Sequence, residues 1–403
     1  MRRIIFLFYI FSLCLTLSAS RKGLTEVYLS EYGSLEGYTV SKTIEKAIAD
    51  LNGKKLILPD IPLDLEDVTI TKKSNFSIIG CRNNTITCRN FKIVDCADFD
   101  LSNLNIKGTK NKFTTFYIVG DCKNFQIHDC LFDSEKGFDG HNTFYGIHII
   151  TDTSKPNNGY YNSPRQFRIY NNVLKHTRYD GILAHAYCSD FVIEYNTIEG
   201  AECIGIEIEG RLGDNKHTTV HPCKNAIIRH NKMYECGDWG VLLMWAHHIK
   251  VYRNKCINSY GAFLSIGCKD LDVKKNVFEG RQKGFEISQE YYKVSNGINE
   301  KIKVSRNVIK AKARGDNRGV LDIRHARNVV VRKNIISSLY RDNTAYVSLA
   351  SCNHVMIKKN DFYFADKPLK DLIYKANVPS PETNEIVSSL NLGNLDIQKI
   401  IVK

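Results

Sequence analysis

Six residues stand out for the chemistry their types allow: His148, Asp180, His185, Glu207, Glu209 and Arg211. Glu207 and Glu209 are two positions apart, so in an extended strand both carboxylates leave the same face, with Cα atoms about 6.8 Å from one another. Two carboxyls at that separation suit hydrolysis of a glycosidic bond, in which one acid protonates the leaving oxygen and the other activates water. The same pair suits a calcium ion, because a hard cation gathers carboxylate oxygens. A cation held by Glu207 and Glu209 would neutralise a uronate and acidify its C5 proton. Arg211, His185 or His148 would then be the base that takes this proton in a β-elimination. The alternative is that all six are ordinary solvent-facing residues of a sheet.

What must position these residues is a repeat. From Phe167-Arg168-Ile169-Tyr170-Asn171-Asn172 to Val355-Met356-Ile357-Lys358-Lys359-Asn360 one phrase returns. Aligned on Asn172, Asn196, Asn231, Asn254, Asn276, Asn307, Asn334 and Asn360, its spacings are 24, 35, 23, 22, 31, 27 and 26 residues. Five and three positions before each Asn stand apolar residues, Phe167 and Ile169 in the first copy and Val355 and Ile357 in the last. Period-two burial of β-branched and aromatic residues specifies a short strand, and repetition at this interval specifies a solenoid. The Asn suits a turn because it tolerates left-handed backbone angles and its amide bonds neighbouring main chain; stacked coil on coil, such amides form a ladder.

A second phrase built on Gly follows in most copies: Gly146-Ile147-His148, Gly181-Ile182-Leu183, Gly205-Ile206-Glu207, Gly240-Val241-Leu242, Gly261-Ala262-Phe263, Gly284-Phe285-Glu286 and Gly319-Val320-Leu321-Asp322. Each coil therefore carries at least two strands, which stack as parallel sheets about 4.8 Å apart. Alternation along the second strand places His148, His185, Glu207, Glu209, Glu286, Asp322, Arg324 and Ser348 outward on one stacked face. A polymer would lie along that face, contacted by Trp239, Trp245, Glu286, Asp322 and Arg324.

These phrases resemble the right-handed parallel β-helix proteins of the pectin lyase-like superfamily. The resemblance covers roughly residues 38–364 and implies an all-β fold: a single-stranded right-handed parallel β-helix with a short N-terminal capping helix. Arg324-His325-Ala326 resembles in part the Arg-His-Gly of chondroitinase-like and alginate-lyase-like β-helix lyases. Ala326 replaces their Gly, however, and Glu207-Ile208-Glu209 lies four coils away, about 19 Å at the stacking distance of strands. Only a substrate-binding Arg324 carries over. The polygalacturonase pattern is absent, since no Asp-Asp pair or Gly-His-Gly stands on these strands; Gly137-Phe138-Asp139-Gly140 reads as a turn.

Met1-Arg2-Arg3, the apolar run 4–17 and Ser18-Ala19-Ser20 read as a cleavable signal peptide, which implies a secreted or periplasmic protein. No later stretch is long and apolar enough to span a bilayer. The formal charge of +13 becomes +11 when Arg2 and Arg3 leave with the leader. For a secreted solenoid, a positive balance implies an anionic polysaccharide as partner rather than nucleic acid, and a monomer as the working form. A basic row precedes the ladder Asn: His230, Arg253, Lys275, Arg306, Lys333 and Lys359. It reads as a solvated edge or as a track for a polyanion.

Among the 13 cysteines, Cys122, Cys188, Cys223, Cys268 and Cys352 stand eight residues before the ladder position, so they read as small buried wedges at one corner. A Cys188–Cys223 disulfide is compatible with that reading and not required by it. No spacing supports a structural zinc site.

In chain order, 1–20 is the leader and 21–67 an N-terminal cap region. Its stretch 21–37 reads as irregular, and an amphipathic helix over 41–51 stops at Asn52-Gly53. Residues 68–364 form the β-helix and 365–403 a C-terminal cap or tail. Long insertions at 151–164, 212–222 and 290–300 leave near the end of the second strand and would wall the groove. The expectation is a secreted enzyme that cleaves an acidic polysaccharide by β-elimination. A glycoside hydrolase using paired carboxylates and a non-catalytic glycan-binding solenoid are the alternatives.

Overall fold

A computed structural model describes residues 23–37, 39–81, 83–109, 115–134, 146–152, 162–210, 220–288, 298–311, 319–338, 347–364, 367–368 and 374–377. The expected leader, Arg211, residues 137–140, most of the three insertions and most of 365–403 lie outside the described residues.

The chain is all-β, a parallel β-helix with a short helix near its N-terminus. It divides into two compact units, residues 1–179 with 183–197 and residues 180–182 with 198–403.

In the first unit the helix Thr39–Ala49 buries Val40, Ile44, Ala47 and Ile48. The helix ends before Gly53, whose φ of +72° only glycine adopts at little cost. The stretch expected to be irregular contains the strand Thr25–Tyr28, which pairs in parallel with Lys54–Ile57. Val27 there is buried, so a single inward side chain suffices to fix an edge strand that carries little sequence signal.

Successive coils then stack in register: Phe76 opposite Phe99, Phe125 opposite Phe167, Phe167 opposite Phe191. Their rings form one column with centroids 5.3, 4.7, 4.9 and 4.6 Å apart between Phe76, Phe99, Phe125, Phe167 and Phe191. Offset stacking at this distance contributes beyond the apolar area it buries.

In the second unit the same inward position passes from Ile249 to Leu271, Ile302, Val329 and Val355, all buried. The Asn ladder runs beside it. Asn231 N–H donates to Asn254 Oδ1 at 3.0 Å, and the relay continues through Asn276, Asn307, Asn334 and Asn360 at 2.8–2.9 Å. From Asn254 onward each amide also donates to a strand carbonyl, as Asn276 Nδ2 does to Val251 O at 3.0 Å. Buried main-chain groups at the turn are thereby satisfied. The left-handed angle expected at the Asn falls on the preceding residue: Asn171, Tyr195, His230, Arg253, Lys275, Arg306, Lys333 and Lys359 have φ between 54° and 58°. Asn recurs for its amide, which both donates and accepts, and its neighbour makes the turn.

The column of cysteines is buried as expected, and every cysteine described is a free thiol, Cys188 and Cys223 included. Their sulfurs face strand carbonyls, as Cys268 Sγ faces Leu243 O at 3.4 Å. Among the described residues no helix is long and apolar enough to cross a membrane.

Candidate active site

The second strands carry the candidate residues. In the second unit, Ile206 pairs with Val241 and Glu207 with Leu242. Leu242 then pairs with Leu264, Leu264 with Glu286, Glu286 with Asp322 and Asp322 with Ser348. Glu207, Glu286, Asp322 and Ser348 thus share one column, with two apolar coils between the first and the rest. Two copies of the Gly phrase are offset by one residue. Trp239 stands opposite Gly261 and Val241 opposite Phe263, so Ala262 takes the place of Gly240. Likewise Phe285 faces Leu321, which puts Val320 where Gly284 stands in the coil before. Gly261 is glycine for another reason: a Cβ there would come within 2.3 Å of the Trp239 ring.

The outward face is not solvent-facing. Glu207 and Glu209 are each 6% exposed, Asp180 4%, Glu286 and Asp322 2% and Ser348 5%. Side chains along the columns pack on one another, and the two tryptophans are buried among the apolar members. Trp239 and Trp245 were expected to stack on sugar rings. Instead they belong to a buried apolar cluster with Ile204, Leu242, Met244, Leu264 and Ile266, against which Cys203 and Val220 pack. Leucine, methionine and isoleucine at outward positions give the indoles an apolar bed, which holds them in the cluster.

Two polar groups flank this cluster. The first contains Asp180, Glu207, Glu209 and Asp238. Asp180 Oδ1 accepts the Ile204 N–H at 3.1 Å, and its carboxyl is hydrogen-bonded to that of Glu207. Burial pushes Asp180 up to about 6 despite those two hydrogen bonds, and the charges of Glu209 and Asp238 push the same way. A carboxyl pair in so dry a place shares a proton, because two adjacent charges cannot both ionise there. Burial also raises Asp238, opposed by the nearby Lys283 ammonium. Cys203 is driven to about 11 by burial and by the charges of Asp180, Asp238, Glu207 and Glu202.

The second polar group holds the three remaining substrate-contact candidates, Glu286, Asp322 and Arg324. Lys283 Nζ lies 3.3 Å from Glu286 Oε2 and 5.6 Å from the Trp239 ring centroid. Arg324 Nε donates to Asp322 Oδ2 at 2.8 Å, and Ser348 Oγ donates to Asp322 Oδ1 at 2.5 Å while accepting the Gly319 N–H at 2.8 Å. Glu286, Asp322 and Arg324, expected as free substrate contacts, are engaged with protein partners, since each buried carboxylate requires its own cation or donor.

His148 and His185 lie in the first unit. Their rings stack 6.0 Å apart, with Tyr117 5.2 Å from His148 on the other side. Burial, and secondarily the His185 charge, lower His148 to about 3, so its imidazole is neutral at physiological pH.

The structure therefore brings together Asp180, Glu207 and Glu209, and separately His148 and His185. Asp238 and Lys283 escape the sequence reading. The signal for Asp238 is its place two residues before Gly240, close to that of Asp180 before Gly181. The signal for Lys283 is its place directly before Gly284. Among the described residues no group of three or more His, Cys, Asp or Glu is arranged to hold a metal ion.

A family model for a right handed beta helix region matches residues 213–334. No curated protein matches the sequence. Among the solved structures that share the fold are the following three. The Streptococcus pneumoniae surface protein and adhesin PfbA is 13% identical with a TM-score of 0.63, over 88% of this chain and 100% of that one. The Azotobacter vinelandii mannuronan C-5 epimerase AlgE4 A-module is 13% identical with a TM-score of 0.61, over 88% and 100%. The hyperthermoactive exopolygalacturonase from Thermotoga maritima is 13% identical with a TM-score of 0.55, over 84% and 90%. At such identity the likeness is one of fold, and it agrees with the parallel coils and the ladder: the chain folds as a right-handed parallel β-helix.

Proposed function

We propose that the protein is a polysaccharide-active enzyme in which Asp180 and Glu207 act as an acid–base pair on a glycosidic bond. The observation that carries this reading is the hydrogen-bonded pair itself, with Asp180 held near 6 by burial. A pair that holds one shared proton near that pH can give it to a leaving oxygen, while the carboxylate left ionised activates water. Glu209 and Asp238 keep the local charge negative and so favour retention of the shared proton.

The pair supports hydrolysis over β-elimination. Elimination needs a base for the C5 proton; His148 at about 3 binds a proton too weakly for that task, which leaves His185 among the described candidates. Arg211 lies outside the described residues. Elimination keeps one form in which it would work: a calcium ion taking oxygens from Glu207 and Glu209 would supply the charge that acidifies the C5 proton. The polymer we infer is acidic, because the chain stays basic when Arg2 and Arg3 are taken from its formal charge of +13, which leaves +11. The setting we infer is secreted or periplasmic, from residues 1–20, and N-terminal sequencing of the exported protein tests it.

The deciding experiment incubates the protein with acidic and neutral polysaccharides, with and without a chelator. It follows new reducing ends together with ultraviolet absorbance of unsaturated uronate. Reducing ends without absorbance, lost in Asp180→Asn, are expected. Absorbance that rises with reducing ends and disappears with chelator would replace this reading by the calcium-dependent lyase. Binding without either signal would leave a glycan-binding solenoid.

A further inference from the structure

The corner before the ladder Asn changes character between the units. In the first unit it holds Asn103, Asp129, Asn171 and Tyr195, all left-handed, with φ of 54–57°. Asn and Asp are the non-glycine residues that accept this geometry most readily. In the second unit the same corner holds His230 and then Arg253, Lys275, Arg306, Lys333 and Lys359, at φ of 54–58°. Long cations occupy a turn that Asn would make at lower cost, so the turn itself does not account for them.

The row is fixed by main chain. Arg253 N–H donates to Lys274 O at 3.3 Å, Lys275 N–H to Ser305 O at 3.1 Å, Arg306 N–H to Arg332 O at 3.2 Å and Lys333 N–H to Lys358 O at 3.4 Å. One cation therefore projects from each coil about every 4.8 Å. All five are exposed, and none makes an ion pair among the described residues. Arg332 and Lys358 stand beside the row, in register with Lys274 through Ser305, and widen it on one side. Lys274 is the member held by an acid, with Asp272 Oδ2 3.0 Å away.

We propose that this comb binds a linear acidic polysaccharide along the axis of the second unit, at a surface distinct from the carboxyl pair. Single-file cations spanning about 19 Å over five coils neutralise one extended chain with regularly spaced charges. A nucleic acid duplex presents two strands, with one charge per about 1.7 Å of axis, and a single strand calls for interleaved aromatic platforms. From Arg253 to Lys359 the row holds no aromatic side chain; Tyr252 stands at its start, in register with Lys274, and a ring at one end is not a series of interleaved platforms. The proposal does not depend on the hydrolase reading.

The test measures binding of polygalacturonate to the full chain across a salt series, beside duplex DNA and neutral dextran. The variant is Lys275→Asn, Arg306→Asn and Lys333→Asn together, which places at the corner the residue the first unit already uses. Affinity for polygalacturonate is expected to fall at least tenfold at low salt. The slope of log K against log salt should shrink by about one for each side chain removed. The melting temperature should hold or rise, because Asn suits the left-handed turn. Lys333→Gln with Lys359→Gln gives a second, independent reading at the exposed end of the row. Undiminished binding by both variants, absence of binding by the parent, or tighter binding of duplex DNA than of polygalacturonate would overturn the proposal. Turnover is not part of the readout, so failure here and failure of the hydrolase reading appear in different experiments.

Discussion

The carboxyl of Asp180 is hydrogen-bonded to that of Glu207, and burial holds Asp180 near 6 rather than in the ordinary aspartate range. The two come from different copies of the Gly phrase, one just before its glycine and one two residues after. Buried carboxyls with displaced proton affinity are characteristic of acid–base sites.

Asp180→Asn and Glu207→Gln are each expected to lower the rate of polysaccharide cleavage by about 100-fold or more, the usual contribution of a positioned acid or base. Circular dichroism and initial rates on the same preparations check this. Retained activity in Asp180→Asn would remove the pair from the mechanism.

Asp180 also links activity and stability to pH. Its folded-state pKa lies above the unfolded value, so the native state binds the extra proton. Its stabilising contribution is present at low pH and is lost as pH rises from about 4 through about 6. Activity should fall on the alkaline side with an apparent pKa near 6. Asp180→Asn should raise the melting temperature above pH 6 and leave it little changed below pH 4, as scanning calorimetry across pH would show.

His148 works in the opposite sense. Its folded pKa of about 3 lies below the unfolded value, so stability is intact above about 6.5 and declines as pH falls toward 3. His148→Phe fills the place beside Tyr117 with an uncharged ring and should flatten this decline. Urea midpoints at pH 4 and pH 7 should differ less in the variant than in the parent.

Asn276→Ala breaks the ladder. Asn254 N–H loses its acceptor at 2.8 Å and Val251 O loses a donor at 3.0 Å, both in buried positions. Leaving buried groups unsatisfied costs about 1–3 kcal/mol each. The denaturant midpoint should drop clearly, with the loss read by amide exchange in residues 250–280. An unchanged midpoint would show that the ladder is dispensable.

Gly261→Ala places a methyl within 2.3 Å of the Trp239 indole, so the ring must leave its bed. Overpacking of this kind costs about 1–3 kcal/mol. With 2 tryptophans in the chain, a red shift of emission in Gly261→Ala is readily assigned by comparison with Trp245→Phe.

The repeat was legible because stacking translates one coil onto the next. Each coil must therefore offer the same inward positions and the same turn, and these appear in the sequence as Phe167, Phe191 and the ladder Asn at regular intervals. The column of cysteines was legible for the same reason. The helix near the N-terminus was equally plain from its apolar spacing. The strand Thr25–Tyr28 was not, since one buried valine carries it.

What the sequence by itself determined was the fold class and the identity of the outward column, including Glu207, Glu286 and Asp322. These follow from local alternation and from a period that any reader of the chain can align. What the tertiary structure decided was the state of those residues. Whether Glu207 meets water or another carboxyl, and whether Trp239 offers its ring or buries it, depends on side chains from other coils. Glu286 and Asp322 are likewise engaged by Lys283, Arg324 and Ser348. No periodicity encodes those partners: coil lengths vary from 22 to 35 residues, and a one-residue offset such as that at Gly261 changes what stands opposite what. Proton affinity and access arise from that packing, which is why the chemistry had to wait for the folded chain.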